Sequence, residues 1–120
     1  MRVLIADDQG KVRSALRLWL GRRAGIQVLG EAVDARGVLD WVTAACPDVL
    51  LLDWELPGQE DLDLVSQLRD RYPGVAIIAL SGRAGVEGDA RAAGVEAFVS
   101  KCGPPEGLAL ALAGIGGPDA

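Results

Sequence analysis

Three apolar runs in this chain each end on residues able to do charge chemistry. Val49-Leu50-Leu51-Leu52 closes on Asp53, followed by Trp54-Glu55-Leu56-Pro57-Gly58. Val3-Leu4-Ile5 leads through Ala6 to Asp7-Asp8, and Ala97-Phe98-Val99 runs through Ser100 to Lys101. Such runs, closing on charged or turn residues, read as buried parallel strands that deliver polar groups to one sheet edge. In an open parallel sheet, ligands bind beyond the carboxyl ends of the strands, where the crossovers diverge. Asp7, Asp8, Asp53 and Lys101, with Ser81 after a fourth apolar run, are therefore expected on one rim. Carboxylates packed together repel one another by about a few kcal/mol at an effective dielectric of about 20. A hard dication offsets that repulsion, and oxygen donors without His or Cys suit magnesium. A cation site and an amine beside a nucleophilic aspartate suit phosphoryl capture, which depends on positioning and charge neutralisation.

These residues must be held by alternating strands and helices. The apolar pattern predicts strands near 2–6, 27–32, 48–53, 75–80 and 96–99, and helices near 10–23, 35–46, 60–72, 85–93 and 105–114. Val12, Leu16, Trp19 and Leu20 recur at helical spacing in the first helix; Val38, Trp41, Val42 and Ala45 do so in the second. Pro47 limits the second helix. The third carries Leu62, Val65, Leu68 and Tyr72 up to Pro73-Gly74, and the last buries Leu108, Ala111 and Leu112. The fourth is weakened by Gly85 and Gly88, each costing about 1 kcal/mol relative to Ala. The second strand is the most polar and contains Gly30, which places it at an edge. Right-handed crossovers then put helices on both faces of a five-stranded parallel sheet.

Composition narrows the function. The chain has 120 residues, one domain's worth, and half are hydrophobic with 24% charged, a globular rather than a disordered balance. A net charge of −5 and a pI near 4.6 argue against nucleic-acid binding by this domain itself. Apolar stretches are too interrupted to span a membrane. A strand-like segment begins at once, so no signal peptide is expected. Cys46 and Cys102 form neither a disulfide framework nor a metal spacing, consistent with a reducing cytoplasm. The absence of histidine excludes His-based acid–base catalysis, His-ligated metals and a phosphohistidine carrier.

Taken together, Ile5-Ala6-Asp7-Asp8-Gln9-Gly10-Lys11-Val12-Arg13, Asp53-Trp54-Glu55-Leu56-Pro57-Gly58, Ala79-Leu80-Ser81-Gly82 and Phe98-Val99-Ser100-Lys101 resemble the receiver domain of bacterial two-component response regulators. The likeness is greatest to receivers with a C-terminal helix-turn-helix output domain of the LuxR/NarL type. It rests on the Asp-Asp-Gln-x-x-Val-Arg opening and the lack of proline after Lys101.

The resemblance implies an α/β, flavodoxin-like doubly wound sheet with strand order 2-1-3-4-5, helices on both faces. It implies a receiver domain over residues 1–115, with 116–120 a tail or the start of a linker. By it, Asp53 takes phosphate from a sensor histidine kinase. Asp8, Asp53 and the Glu55 backbone carbonyl hold Mg2+, with Asp7 acting through water. Lys101 and the Ser81 hydroxyl contact the phosphoryl group, and Ser81 and Phe98 act as the switch. The surface of the fourth helix, fifth strand and fifth helix then changes shape to control output, transcription in that class, with homodimerisation on phosphorylation. The chain is expected to be either a stand-alone receiver or part of a longer regulator, and in the second case DNA binding would belong to the output domain outside it. The resemblance makes the domain a signalling switch, with no enzymatic activity beyond its own phosphorylation and dephosphorylation. Cytoplasmic location follows.

Blander and competing readings stand beside this one. Asp7-Asp8 would serve as a helix N-cap pair, Lys101 as a solvated charge, Ser81-Gly82 as a turn and Phe98 as packing. A flavodoxin-like cofactor binder shares the topology but needs a phosphate-cradling loop where Asp7-Asp8 stands. A phosphohydrolase would use Glu55, two residues after Asp53, as acid–base. A pseudo-receiver would bind protein without being phosphorylated.

Overall fold

The computed structural model describes residues 1–116; of the tail expected at 116–120, Gly116 is instead the last residue of the final helix and 117–120 lie outside the described residues. The elements in chain order are β1 (Arg2–Ala6), α1 (Gly10–Gly21), β2 (Gln27–Ala32), α2 (Ala35–Ala45), β3 (Val49–Asp53) and α3 (Gln59–Leu62). Then follow α4 (Leu64–Arg71), β4 (Ala76–Ser81), α5 (Glu87–Ala93), β5 (Ala97–Ser100) and α6 (Glu106–Gly116). The strands form one parallel sheet in the order β2-β1-β3-β4-β5, as expected.

Side-chain alternation along the strands divides the core between the two sheet faces. Leu50, Leu52, Ile77 and Ala79 pack with Ala35, Val38 and Val42 of α2, Leu64, Val65 and Leu68 of α4, and Ala90 of α5. Val3, Ile5, Val49, Leu51, Ile78 and Leu80 pack on the other face with Leu20 of α1 and Leu108 and Leu112 of α6. Each fully buried aliphatic side chain contributes about 1.5–3 kcal/mol. All of β3 is buried, which is why it reads as an unbroken apolar run. β2 lies at one edge; its register slips by one residue opposite Val3 and Leu4. Gly30 in that strand makes room for Trp41, whose ring occupies the space a side chain at that position would need.

The single helix expected over 60–72 is instead two, α3 and α4, broken at Asp63. Asp63 adopts a left-handed backbone with φ 48° and ψ 53°, a conformation that Asp tolerates better than most residues. The Gln67 side chain donates to the Leu62 carbonyl and so occupies an acceptor freed by the break. α5 begins two residues later than expected, after Gly85 with φ +81°. α2 starts at an N-cap, Asp34, whose side chain accepts from the Gly37 amide at 2.8 Å. Among the described residues, no helix is long and apolar enough to cross a membrane.

Candidate functional site

Sheet register brings the acids together. Ala6 pairs with Leu52, so the residues that follow, Asp7 and Asp53, emerge side by side at the carboxyl ends of β1 and β3. Asp53 pairs with Leu80 of β4, and Ser81 with Ser100 of β5, which places Lys101 immediately beyond the last strand. Every polar residue expected on this rim is there. Asp7, Asp53 and Ser81 are buried, whereas Asp8 is exposed at its mouth.

Carboxylate oxygens of Asp7, Asp8 and Asp53 lie within 4.8 Å of one another. The Lys101 ammonium reaches in between, 2.7 Å from Asp7 Oδ2 and 3.2 Å from Asp53 Oδ1. Asp7 Oδ1 accepts from the Gln9 amide at 2.9 Å. Asp7 Oδ2 is buried and has the Lys101 ammonium, 2.7 Å away, as its charged partner. One ammonium among three clustered carboxylates leaves the site net negative, a charge that a further cation offsets. The donors are all oxygen, the set that a hard dication such as magnesium favours. The residues therefore fit a divalent ion.

Electrostatics follow from this crowding. Burial lifts the Asp53 carboxyl above its ordinary range and the Asp7 charge adds to the effect; the Glu55 amide and Lys101 pull the other way. Burial works against the charge of Lys101, yet its contacts with Asp7 and Asp53 outweigh it and hold the ammonium above its usual range.

The turn after β3 is fixed by its own bonds. The Glu55 amide donates to Asp53 Oδ1 at 3.1 Å, and the Leu56 amide to the Asp53 carbonyl at 3.0 Å. Gly58 closes the turn with φ +88°, where a side chain would be strained. Gln59 Nε2 donates to the carbonyls of Asp53 and Trp54, each at 2.9 Å. Sequence reasoning missed Gln59, because nothing in its type or spacing marks it as a clamp on a turn six residues earlier.

Ser81 is the last residue of β4 rather than the first after it. Its hydroxyl donates to the Glu55 carboxylate, 2.9 and 3.0 Å from the two oxygens, and accepts from the Arg83 amide at 3.0 Å. The Glu55 side chain thus enters the site as an acceptor for Ser81, where the receiver resemblance implied only its carbonyl as a ligand. Phe98 is half-buried and packs against the core on the α2–α4–α5 face. Cys102 is exposed and Cys46 is exposed at the opposite end of the molecule from Lys101's strand terminus, following α2.

Arg13, read from the sequence only as part of an opening motif, bridges two elements. Its Nη1 donates to the Asp7 carbonyl at 2.9 Å and its Nε to Glu31 of β2 at 2.8 Å. Arg17 Nε donates to the other Glu31 oxygen at 2.7 Å. Hydrogen bonding by Arg17 is the main reason that the Glu31 carboxyl lies below its ordinary range; Arg13 adds to it and burial opposes.

Residues 3–113 match the family described as the response regulator receiver domain. The chain is 31% identical over 110 residues to the transcriptional regulatory protein DesR of Bacillus subtilis (strain 168), covering 92% of this chain and 55% of that protein. Among solved structures, it superimposes with a TM-score of 0.87 on RcsB from Salmonella enterica serovar Typhimurium, bound to promoter rprA in the presence of phosphomimetic BeF3-. That match has 26% identity and covers 98% of this chain and 99% of the other. A LuxR-family two-component response regulator from Aurantimonas sp. SI85-9A1 matches with a TM-score of 0.85 and 28% identity, over 95% of this chain and 83% of that one. The chain spans about half the length of the curated relatives it matches first, 55% and 51%.

Proposed function

This chain belongs to the response regulator receiver domain family, and from that premise we propose that it is a phosphoryl-accepting switch whose acceptor is Asp53. The observation that carries the proposal is the buried Asp53 carboxylate, held beside Asp7, Asp8 and the Lys101 ammonium. A carboxylate oxygen of Asp53 attacks the phosphorus of a phosphohistidine on a sensor kinase. A P–O bond forms, the P–N bond breaks, and the imidazole leaves with the electron pair, giving an acyl phosphate.

The chain's own residues prepare that transfer. The Glu55 amide and Lys101 fix one Asp53 oxygen, so the other is presented to the donor. Asp8, Asp53 and the Glu55 carbonyl would hold magnesium directly, and Asp7 through water. Magnesium, when bound, supplies charge neutralisation on the transferring group. Lys101 then moves from its carboxylate partners to a phosphoryl oxygen. The Ser81 hydroxyl exchanges the Glu55 carboxylate for another phosphoryl oxygen, and Phe98 turns toward the space this leaves. Such a change biases the surface formed by α5, β5 and α6, which controls output and self-association. The output is transcriptional, through a DNA-binding domain beyond this chain, and the setting is cytoplasmic. Catalysis by this domain is confined to its own phosphorylation and dephosphorylation.

Treatment with acetyl phosphate and Mg2+ followed by intact mass measurement tests the reading. One added phosphate is expected in the wild type and none in Asp53→Asn. Phosphate retained undiminished by the variant places the acceptor elsewhere. Gel filtration of the same samples reads self-association.

A further inference from the structure

We infer that Arg13 is a positioning residue for the divalent-cation site, setting the Asp7–Asp8 peptide through its contact with the Asp7 carbonyl; this rests on the function proposed above. The main chain at Asp7 is held on both sides. Its amide donates to the Ala32 carbonyl at 3.0 Å, and its carbonyl accepts from Arg13 Nη1 at 2.9 Å. The second contact fixes the plane of the peptide that leads into Asp8. Asp8 is exposed, so no packing around its side chain holds it. Its direction follows from the peptide before it.

Arg13 is itself held. Its Nε is 2.8 Å from Glu31 Oε1 on β2, while Nη1 faces the Asp7 carbonyl, so a single planar guanidinium joins α1, β2 and the end of β1. A guanidinium holds two acceptors in fixed relative directions, which an ammonium on a flexible stem does not. Partners that orient metal ligands commonly contribute about 10–100-fold to metal affinity.

Arg17 provides an internal control. It pairs with the same Glu31, 2.7 Å from Oε2, and the hydrogen bonds of its side chain do not include the Asp7 carbonyl. The two arginines separate positioning from charge because the effects have opposite signs. Removing a positive charge near an acidic site favours cation binding by Coulomb's law. Removing a group that orients the acids disfavours it.

The experiment is a Mg2+ titration of the whole chain followed by tryptophan fluorescence, with bound Mn2+ counted by electron paramagnetic resonance. Melts in EDTA establish that each variant is folded. Arg13→Gln is expected to weaken Mg2+ binding by about tenfold, and Arg17→Gln to leave it unchanged or tighten it slightly. Arg13→Lys, which keeps the charge but not the fork, is expected to weaken binding as well, and it serves as the reporter if Arg13→Gln does not fold. Unchanged or tighter binding in the Arg13 variants overturns the inference, and so does equal weakening by Arg17→Gln. A wild type that binds neither ion overturns the proposed function itself, an outcome distinct from any difference among variants.

Discussion

The strands that carry the acids and the edge strand that leads to the amine are built differently. All five residues of β3 are buried, as are four of the five in β1, and α2 beside them has eleven residues and an Asp34 N-cap. In β5, Ala97, Phe98 and Val99 are half-buried and Ser100 is exposed. The helix leading into it, α5, has seven residues and no side-chain N-cap. Less buried apolar surface means a lower free energy of local opening. The acids are thus anchored in the stable strands, while Lys101 and the half-buried Phe98 are supplied by the edge that can rearrange. Ser81, buried at the end of β4, sits at the junction between them. That division suits a site in which the acceptor stays still and its surroundings respond.

Removing the amine should have the largest effect on this arrangement. Lys101→Met in EDTA leaves Asp7, whose side chain is 1% exposed, without its cation, and a loss of about 2–4 kcal/mol in denaturant melts is expected. An unchanged melt would mean that the two regions are not joined by this contact.

The next effect concerns pH. The folded-state carboxyl of Asp53 lies above its unfolded value of 3.8, so the folded protein binds more protons than the unfolded chain just above that pH. The Asp53 contribution is therefore present at low pH and lost as pH rises from about 3.8 through the raised folded value. Metal-free melts should show the stability of the wild type falling relative to Asp53→Asn across that window. A difference curve that rises instead would contradict the burial argument. Lys101 has the same sign at the alkaline end: its contribution is lost as pH climbs above 10.5.

Ser81→Ala removes a hydroxyl shared by Glu55 and Arg83, and about 1 kcal/mol is expected from its loss. Smallest of all is Asp8→Ala without metal. Asp8 is exposed, so relief of repulsion should stabilise the fold by only about a few tenths of a kcal/mol. Clear destabilisation would mean that Asp8 is part of the scaffold rather than a ligand held at its mouth.

Much of this was legible in the sequence because it depends on short-range pattern. The apolar run Val49–Leu52 names a buried central strand, and a polar strand with Gly30 names an edge. Parallel strands in that order must bring Asp7, Asp53 and Lys101 to one rim, so the site followed from the topology. The break at Asp63 was not legible, since Leu62, Val65 and Leu68 keep helical spacing across it and only the backbone at Asp63 departs. Gln59, the bridging role of Arg13 and the contact of the Glu55 carboxylate with Ser81 escaped for a related reason. Each acts by reaching a partner on another turn or strand, and such contacts exist only once the chain has folded.

A crystal of the metal-free protein soaked in Mn2+ offers the most direct test, read by anomalous scattering. One peak is predicted at the carboxyl end of the sheet, touching the carboxylates of Asp8 and Asp53 and the carbonyl of Glu55. An ion bound elsewhere, or these acids free of metal at saturating Mn2+, would contradict the account.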